Sequence, residues 1–322
     1  MNKDNQNFFN EFVEKSPNES IILSKDEVIV YVGDNKVDGV ANVTLNFIPN
    51  MDFIIEIKLS GDKSQNSKYF EKENNCKIQF VSINKSVEVI FQKKYVDSDN
   101  SLILQVRPHK EPLVINCNKK IYKLDFLIFN FLNFKANSFI IKDINSSTAC
   151  SRLNINAEEF NIIIESHKNT YKDIEALKNE GGFAITHLGR IEYQDQKTIS
   201  NTKANEITEA IFNFFSFVRG NWTPILPIGI GQDNDIVWKQ WGIAQRSPWQ
   251  DLQHWETWFD YWHVDNLDKL FESFFKYWEV PIWKETIKFA IYWYIHANTQ
   301  RIGADGSIFG SGSAHTDKKI TA

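Results

Sequence analysis

The sequence has few of the residues on which compact metal, redox or phosphate-binding motifs depend. Its 322 residues include only three cysteines, at positions 76, 117 and 150, and no two of them form a CxxC pair. A zinc knuckle or a dithiol redox motif therefore cannot be built, and buried free thiols are expected. The absence of a GxxxxGKS/T phosphate loop and of a GxSxG nucleophile elbow excludes the commonest NTPase and hydrolase classes.

An excess of positive charge and long apolar runs are also missing. The 36 Lys and Arg residues are outnumbered by 41 Asp and Glu residues, so no basic field favours duplex DNA as a partner. No run of 18 uncharged apolar residues occurs, and the first residues carry no apolar segment of signal-peptide length. We therefore expect a cytoplasmic protein that has no membrane partner, metal or cofactor.

The hydrophobic pattern predicts an α+β fold. Short runs rich in Val, Ile and Phe alternate with polar residues in the first half, and helical spacing dominates later. We predict a β-rich antiparallel domain over 1–198, sandwich-like or an open barrel, a Trp-rich module of helices and a hairpin over 199–302, and a flexible Gly/Ser-rich tail over 303–322. The predicted strands are 27–32, 40–48, 52–59, 77–83, 86–91, 101–106, 121–129, 139–142, 160–165 and 183–193.

Helices are predicted where apolar residues recur every three or four positions. After a short amphipathic helix at 5–14 and a loop at 61–75, the pattern predicts helices at 171–178, 202–219, 265–278 and 282–298. Asn201 or Thr202 should cap the 202–219 helix, Gly220 should end it, and Pro281 should open the last helix. A hairpin is predicted with strands at 225–230 and 236–241.

Two features resemble functional motifs without completing them. His254 and His263 bracket an acidic and aromatic segment, but residues nine apart lie half a turn out of phase on a helix, so no metal site is expected. Gly229 and Gly231 match only the first half of a dinucleotide-binding fingerprint, which favours a structural turn.

The tryptophans are concentrated in one part of the chain. All ten lie between Trp222 and Trp293. Most are expected to form a core, and the remainder to form a contact surface that stacks on bases or sugars. Trp249 and Trp255 are the candidates for ligand contact.

The second half resembles a bacterial protein family that is frequent in cyanobacteria. The resemblance rests on the order of GGFAITHLGRIEY, FFSFVRGNWTP, VWKQW, FKYW and IYWYIHAN. It implies a β-rich region placed before a HEPN-type helical domain, as in some anti-phage defence proteins, with this chain ending before that domain. HEPN ribonucleases use an Arg followed by four to six residues and a His; Arg246 and His254, with seven residues between them, depart from this pattern.

Two functions from different classes follow. The first is a non-catalytic binding or sensor module that recognises a ligand or partner through the β-rich domain or the aromatic surface. The second is a metal-independent, HEPN-like ribonuclease in which Arg246, His254 and His263 stabilise charge and transfer protons, with RNA as the partner.

The last predicted helix favours a protein partner. It carries Trp283, Ile287 and Ile291 on one side, but Phe289 and Trp293 on others, so it is apolar nearly all round. We expect an exposed apolar patch near Trp293, and self-association or binding of another protein there.

Overall fold

The computed structural model describes residues 8–48, 50–61, 63–70, 75–81, 85–109, 113–116, 119–134, 138–143, 148–156, 159–193, 195, 197–242, 245–249 and 267–299. The chain forms two compact units. The barrel unit comprises Asn18–Lys119 and Val237–Ala244, and the sheet unit comprises Met1–Pro17, Lys120–Ile236 and Gln245–Ala322. The predicted domain boundary at 198/199 falls inside the sheet unit.

The described residues form fourteen strands and five α-helices, with more residues in strands than in helices, which confirms a mixed α+β fold. The strands are β1 (Ile21–Val32), β2 (Asn35–Asn46), β3 (Asp52–Leu59), β4 (Asn75–Phe80), β5 (Lys85–Val96), β6 (Leu102–Pro108), β7 (Leu113–Asn116), β8 (Lys123–Phe129), β9 (Ser138–Asp143), β10 (Thr148–Asn156), β11 (Phe160–Ser166), β12 (Ile185–Tyr193), β13 (Ile225–Ile230) and β14 (Ile236–Trp241). The helices are α1 (Lys63–Tyr69), α2 (Thr170–Glu180), α3 (Asn201–Arg219), α4 (Leu267–Trp278) and α5 (Pro281–Thr299).

The barrel unit is a closed antiparallel barrel in the order β1-β2-β3-β6-β5-β4. The pairing of β1 with β4, in which Val28 lies opposite Phe80, closes it. Inward residues alternate with outward ones, as along β3, so the apolar half of each strand fills the interior. A sandwich-like arrangement or an open barrel was expected here; the barrel is instead closed, which leaves no unpaired strand edge.

The sheet unit is built on antiparallel strands in the order β13-β8-β12-β11-β10-β9. Two interior strands of this sheet, β8 and β12, are buried along most of their length. Gly189 on β12 is required there, because a Cβ atom would lie 2.1 Å from the Phe126 ring. Beside it, the Arg190 guanidinium donates two hydrogen bonds to the Asp125 carboxylate, at 2.7 and 2.9 Å, across the same pair of strands.

Helix α3 agrees closely with its predicted range. Its N-cap is Ser200, one residue before the predicted caps; the Ser200 backbone is extended and its side chain accepts a hydrogen bond from the Lys203 N–H. Gly220 ends the helix with a φ of 77°, the left-handed conformation that favours glycine. Phe214 and Phe215 are fully buried, and Phe214 packs against Phe271 and Phe274 of α4.

Several other expectations are confirmed or corrected. Pro281 opens α5, and the turn before β14 is confirmed by a 2.8 Å hydrogen bond from Gly231 N to Asp235 O. The segment expected to be a loop at 61–75 contains α1, and β7 and β10 were not predicted. The described part of the predicted first helix is a 3₁₀ helix, Phe8–Glu14. None of the helices that the structure describes has the length and hydropathy needed to cross a membrane.

Candidate functional site

A buried polar cluster lies at the C-terminal end of α3. We call it the α3-end cluster, and its buried polar side chains are those of Asn130, Ser216, Arg219, Asn221, Thr223 and Ser247. Thr223 N donates to Ser216 Oγ at 3.0 Å, and Trp222 N donates to Ser247 Oγ at 3.2 Å. These bonds hold the chain that leaves α3 against the segment 245–249.

Asn130 joins three segments within this cluster. Its backbone is left-handed, with a φ of 56°, which places the side-chain amide against two other stretches of chain. The amide nitrogen donates to Gly182 O at 2.8 Å and to Ser247 O at 3.4 Å, and the amide oxygen accepts from Ala184 N at 2.9 Å. One side chain thus supplies the acceptor for the Ala184 N–H and links it to the carbonyl groups of Gly182 and Ser247.

Arg219 places a cation in the interior. Only 3% of the residue is exposed, and burial lowers the pKa of its guanidinium to about 9. Its Nη1 donates to Trp222 O at 3.1 Å, and its Cζ lies 5.5 Å from the centre of the Trp249 ring. Among the described residues no carboxylate pairs with it, so the indole face and the carbonyl-rich end of α3 offset part of the desolvation cost.

Trp249 is a core residue and not the exposed contact residue that we expected. Its backbone forms two hydrogen bonds with Gly182, Trp249 N to Gly182 O at 2.7 Å and the reverse at 3.1 Å. Its ring, 4% exposed, packs with Ile174, Leu177 and Ala184. The indole Nε1 is buried and finds no acceptor within the described ranges.

Two histidines of the sheet unit are buried in different surroundings. His167 lies before α2, where its Nε2 is 2.8 Å from Ile185 O and its Nδ1 accepts from Asn169 N at 3.2 Å. The Asp173 carboxylate lies 3.7 Å from the same Nε2, and burial raises the pKa of that carboxylate to about 6.

His187 is packed among aromatic rings. Its imidazole stacks on Phe134 at 5.0 Å and meets Phe131 edge-on at 5.6 Å. Burial, with a smaller contribution from His167, lowers its pKa to about 3. Neither ring nitrogen has a hydrogen-bond partner in the described part of the chain, so the imidazole is neutral and serves as an aromatic core residue.

An exposed apolar face covers the outer side of α5. We call it the α5 face, and its large exposed side chains are those of Ile282, Phe289 and Tyr292. The exposed Trp283, nine residues before Tyr292, lies on the other side of the helix and contacts Tyr277 of α4 at 5.8 Å. Ile282 is 75% exposed, Phe289 45% and Tyr292 42%. The opposite side of α5 is anchored by buried Ile291 and Ile295. So many large apolar side chains on one exposed surface are typical of an interaction site.

Salt bridges fix the position of α5 against α3. The Glu209 carboxylate lies 2.5 Å from Lys284 Nζ and 3.0 Å from Lys288 Nζ. Both lysines are on α5, so their charges are directed toward α3. The charge that remains on the outer side of α5 is that of Glu285, whose exposed carboxylate lies 3.5 Å from Lys288 Nζ.

The other predicted site residues are not brought together by the described structure. Arg246 is half-buried in the segment 245–249, while His254, Trp255 and His263 lie outside the described residues. Across the residues that the structure does describe, no three His, Cys, Asp or Glu side chains are grouped closely enough to hold a metal ion.

Sequence reasoning missed Arg219 and Asn130. An Arg in the last turn of an amphipathic helix ordinarily projects into water, and Asn130 follows a strand as turn residues do. The only signal was that FFSFVRGNWTP, one of the segments that carry the family resemblance, supplies four of the six cluster residues, Arg219 among them.

The chain is similar to one protein family over this same region and to one relative over most of its length. Residues 116–252 match a family model described as the YopA central domain. That range includes the whole α3-end cluster and excludes α4 and α5. The chain is also 23% identical, over 298 residues, to the SPbeta prophage-derived protein YopA of Bacillus subtilis (strain 168), a match that covers 90% of this chain. It spans 65% of the length of that relative.

No solved structure matches the chain. Neither comparison bears on cyanobacterial or HEPN-linked proteins, so that resemblance stays a prediction.

Proposed function

We propose that the chain is a non-catalytic binding module whose contact surface is the α5 face. The observation that carries the proposal is the group of exposed large side chains on one well-anchored helix, Ile282, Phe289 and Tyr292. Leaving this area in water costs about 25 cal/mol per Å² of apolar surface, and a partner that covers it recovers that free energy.

The α3-end cluster has a supporting role in this proposal. Its side chains mostly pair with backbone groups, as Asn130 does with Gly182 and Ala184. Asn298 of α5 joins this region by donating to Gly220 O at 3.2 Å. The cluster therefore acts as a latch that fixes the end of α5 on the sheet unit and holds the α5 face rigid.

We further propose that the module acts in the cytoplasm, in the interaction between a phage and its bacterial host. The relative in Bacillus subtilis is described as prophage-derived, which supports a role in the conflict between phage and host for this cytoplasmic module. The partner that we favour is a protein, since an aromatic face with few cations suits apolar contact better than the phosphate backbone of RNA.

Apolar-dye fluorescence tests the contact surface. The intact chain should enhance the fluorescence of an apolar dye, and Phe289→Asp should lower the enhancement by more than half. The control Tyr171→Asp removes an aromatic residue that is 69% exposed on α2 and should change little. Equal dye binding by the intact chain and Phe289→Asp would refute the proposal.

Incubation with total RNA, with and without EDTA, tests the non-catalytic part of the proposal. The pure intact chain should leave the RNA uncut under both conditions. Cleavage that is lost in a His254→Ala, His263→Ala variant would overturn the proposal in favour of the ribonuclease.

A further inference from the structure

We propose that the α5 face binds the same face of a second copy of this chain, with the two α5 helices antiparallel across a two-fold axis. This inference rests on the proposed function, because it requires the α5 face to be a contact surface. It adds the identity of the partner and the register of the contact.

The outward residues of α5 are spaced as in a helix–helix interface. Ile282, Glu285, Phe289, Tyr292 and His296 follow one another at intervals of three, four, three and four residues. That spacing forms the narrow seam along which two helices pack with a small crossing angle. The buried side of α5 already faces its own sheet unit, so this seam faces outward.

The seam is complementary to itself when two α5 helices pair in opposite directions. An antiparallel pairing centred between Phe289 and Tyr292 sets Phe289 opposite Tyr292 of the partner subunit, twice, around the axis. The same register sets Glu285 opposite His296 of the partner subunit, where the carboxylate accepts a hydrogen bond from the imidazole. A parallel pairing would set Glu285 opposite Glu285 of the partner subunit, which is repulsive. A two-fold interface requires self-complementarity of this kind.

The aromatic side chains of the seam are already packed against one another within a single chain. The Tyr292 and His296 rings stack at 5.9 Å with 6° between their planes. The Trp293 ring contacts Phe289 at 5.9 Å and His296 at 5.8 Å, edge-on in both cases. Side chains that are already held by one another lose little conformational freedom on binding, so more of the contact energy appears as affinity.

The exposed area sets the expected strength of the dimer. The exposed parts of Ile282, Phe289 and Tyr292 amount to on the order of 300 Å² per subunit, taking about 150–250 Å² for a whole large side chain. Stable interfaces bury about 800 Å² per partner. The dimer should therefore be weak, with a Kd on the order of 10 μM, and should dissociate on dilution.

Sedimentation velocity of the full chain between about 1 and 100 μM tests self-association. The intact chain should change from mostly monomer to mostly dimer across this range, and Phe289→Asp should remain monomeric. Tyr171→Asp should behave as the intact chain does. A monomer at 100 μM that still binds apolar dye would overturn the dimer and keep the proposed contact surface, with another protein as its occupant. Absence of both dimer and dye binding would overturn both proposals.

A charge exchange tests the antiparallel register. Glu285→Lys should weaken the dimer on the order of tenfold, because two carboxylate–imidazole hydrogen bonds are lost per dimer. Adding His296→Glu in the same chain should restore the dimer, since each new carboxylate then opposes a new ammonium of the partner subunit. Glu180→Lys, an equal charge change at the exposed end of α2, is the control. A double variant as weak as Glu285→Lys alone would overturn this register.

Discussion

The guanidinium carbon of Arg219 lies 5.5 Å from the centre of the Trp249 ring, so the last residue of α3 is stacked on a residue 30 positions later in the chain. The backbone of Trp249 is in turn hydrogen-bonded to Gly182, which lies just before β12. The aliphatic stem of Arg219 fills space, while its charge costs desolvation free energy, and the two contributions can be separated by substitution.

Arg219→Met should preserve the stability of the protein better than Arg219→Ala. Methionine keeps most of the stem over the indole and removes the buried charge, so a loss below about 1 kcal/mol is expected. Alanine leaves a cavity and should cost about 2–4 kcal/mol. Urea titration of both variants measures the difference. Equal losses would mean that the hydrogen bond to Trp222 O, which both variants lack, dominates.

Asn130→Ala should destabilise the protein by about 3 kcal/mol, because it removes the amide hydrogen bonds and forces alanine into a left-handed backbone. Asn130→Gly removes the same hydrogen bonds but accepts the backbone conformation, so its loss should be about 1 kcal/mol smaller. Urea midpoints of the two variants give these losses.

Asn234→Ala is the matched control for Asn130. Asn234 has a φ of 60° in an exposed turn, so its substitution should cost only the backbone term of about 1 kcal/mol. If Asn130→Ala costs no more than Asn234→Ala, the amide hydrogen bonds contribute nothing and the proposed latch is wrong.

His187→Leu should reduce the sensitivity of the protein to acid. The pKa of His187 is lowered from 6.5 to about 3, so the unfolded chain binds a proton that the folded chain excludes. The stability contributed by the neutral imidazole is therefore complete above about pH 6.5 and declines as the pH falls toward 3. The difference between the free energies of unfolding at pH 7 and at pH 4.5 should therefore be smaller in His187→Leu than in the intact chain.

Asp173 changes the free energy of unfolding with pH in the direction opposite to His187. Because both act in the same pH range, Asp173 needs its own control variant. Burial raises its pKa from 3.8 to about 6, so the stability linked to its protonated form is present below about pH 4 and is lost as the pH rises through 6. Asp173→Asn should leave the acid sensitivity from His187 in place and make it steeper. An unchanged pH profile in His187→Leu would contradict the assignment.

Phe214→Ala should cost about 3–5 kcal/mol, the usual range for a fully buried phenylalanine. Its ring contacts Phe271 at 4.9 Å and Phe274 at 5.3 Å, so the variant loses the packing between α3 and α4. A loss below about 1 kcal/mol in a urea titration, close to that of Tyr171→Ala on the surface, would mean that this contact does not form.

Local patterns were sufficient to predict the elements whose residues are neighbours in sequence. The apolar spacing of α3 and its end at Gly220 are such features, as is the turn before β14. The closure of the barrel was not predicted, because it depends on Val28 meeting Phe80, and strand pairing over that distance leaves no mark in either strand alone.

The α3-end cluster was missed for the same physical reason. Asn130, Gly182, Arg219 and Ser247 are separated by 28 to 52 positions along the chain, and each of them is an ordinary turn or surface residue by type. Their burial follows from the way four segments meet. The α5 face was predicted more successfully, because an all-round apolar helix is visible in sequence and the structure leaves half of it exposed.

Dye fluorescence per chain, measured across protein concentrations from about 0.1 to 100 μM, tests the central claim most directly. If the α5 face is the contact surface and a second copy covers it, the fluorescence per chain should be high at low concentration and should fall as dimers form. Phe289→Asp should stay low and constant throughout. Fluorescence of the intact chain that never exceeds that of Phe289→Asp would contradict the account.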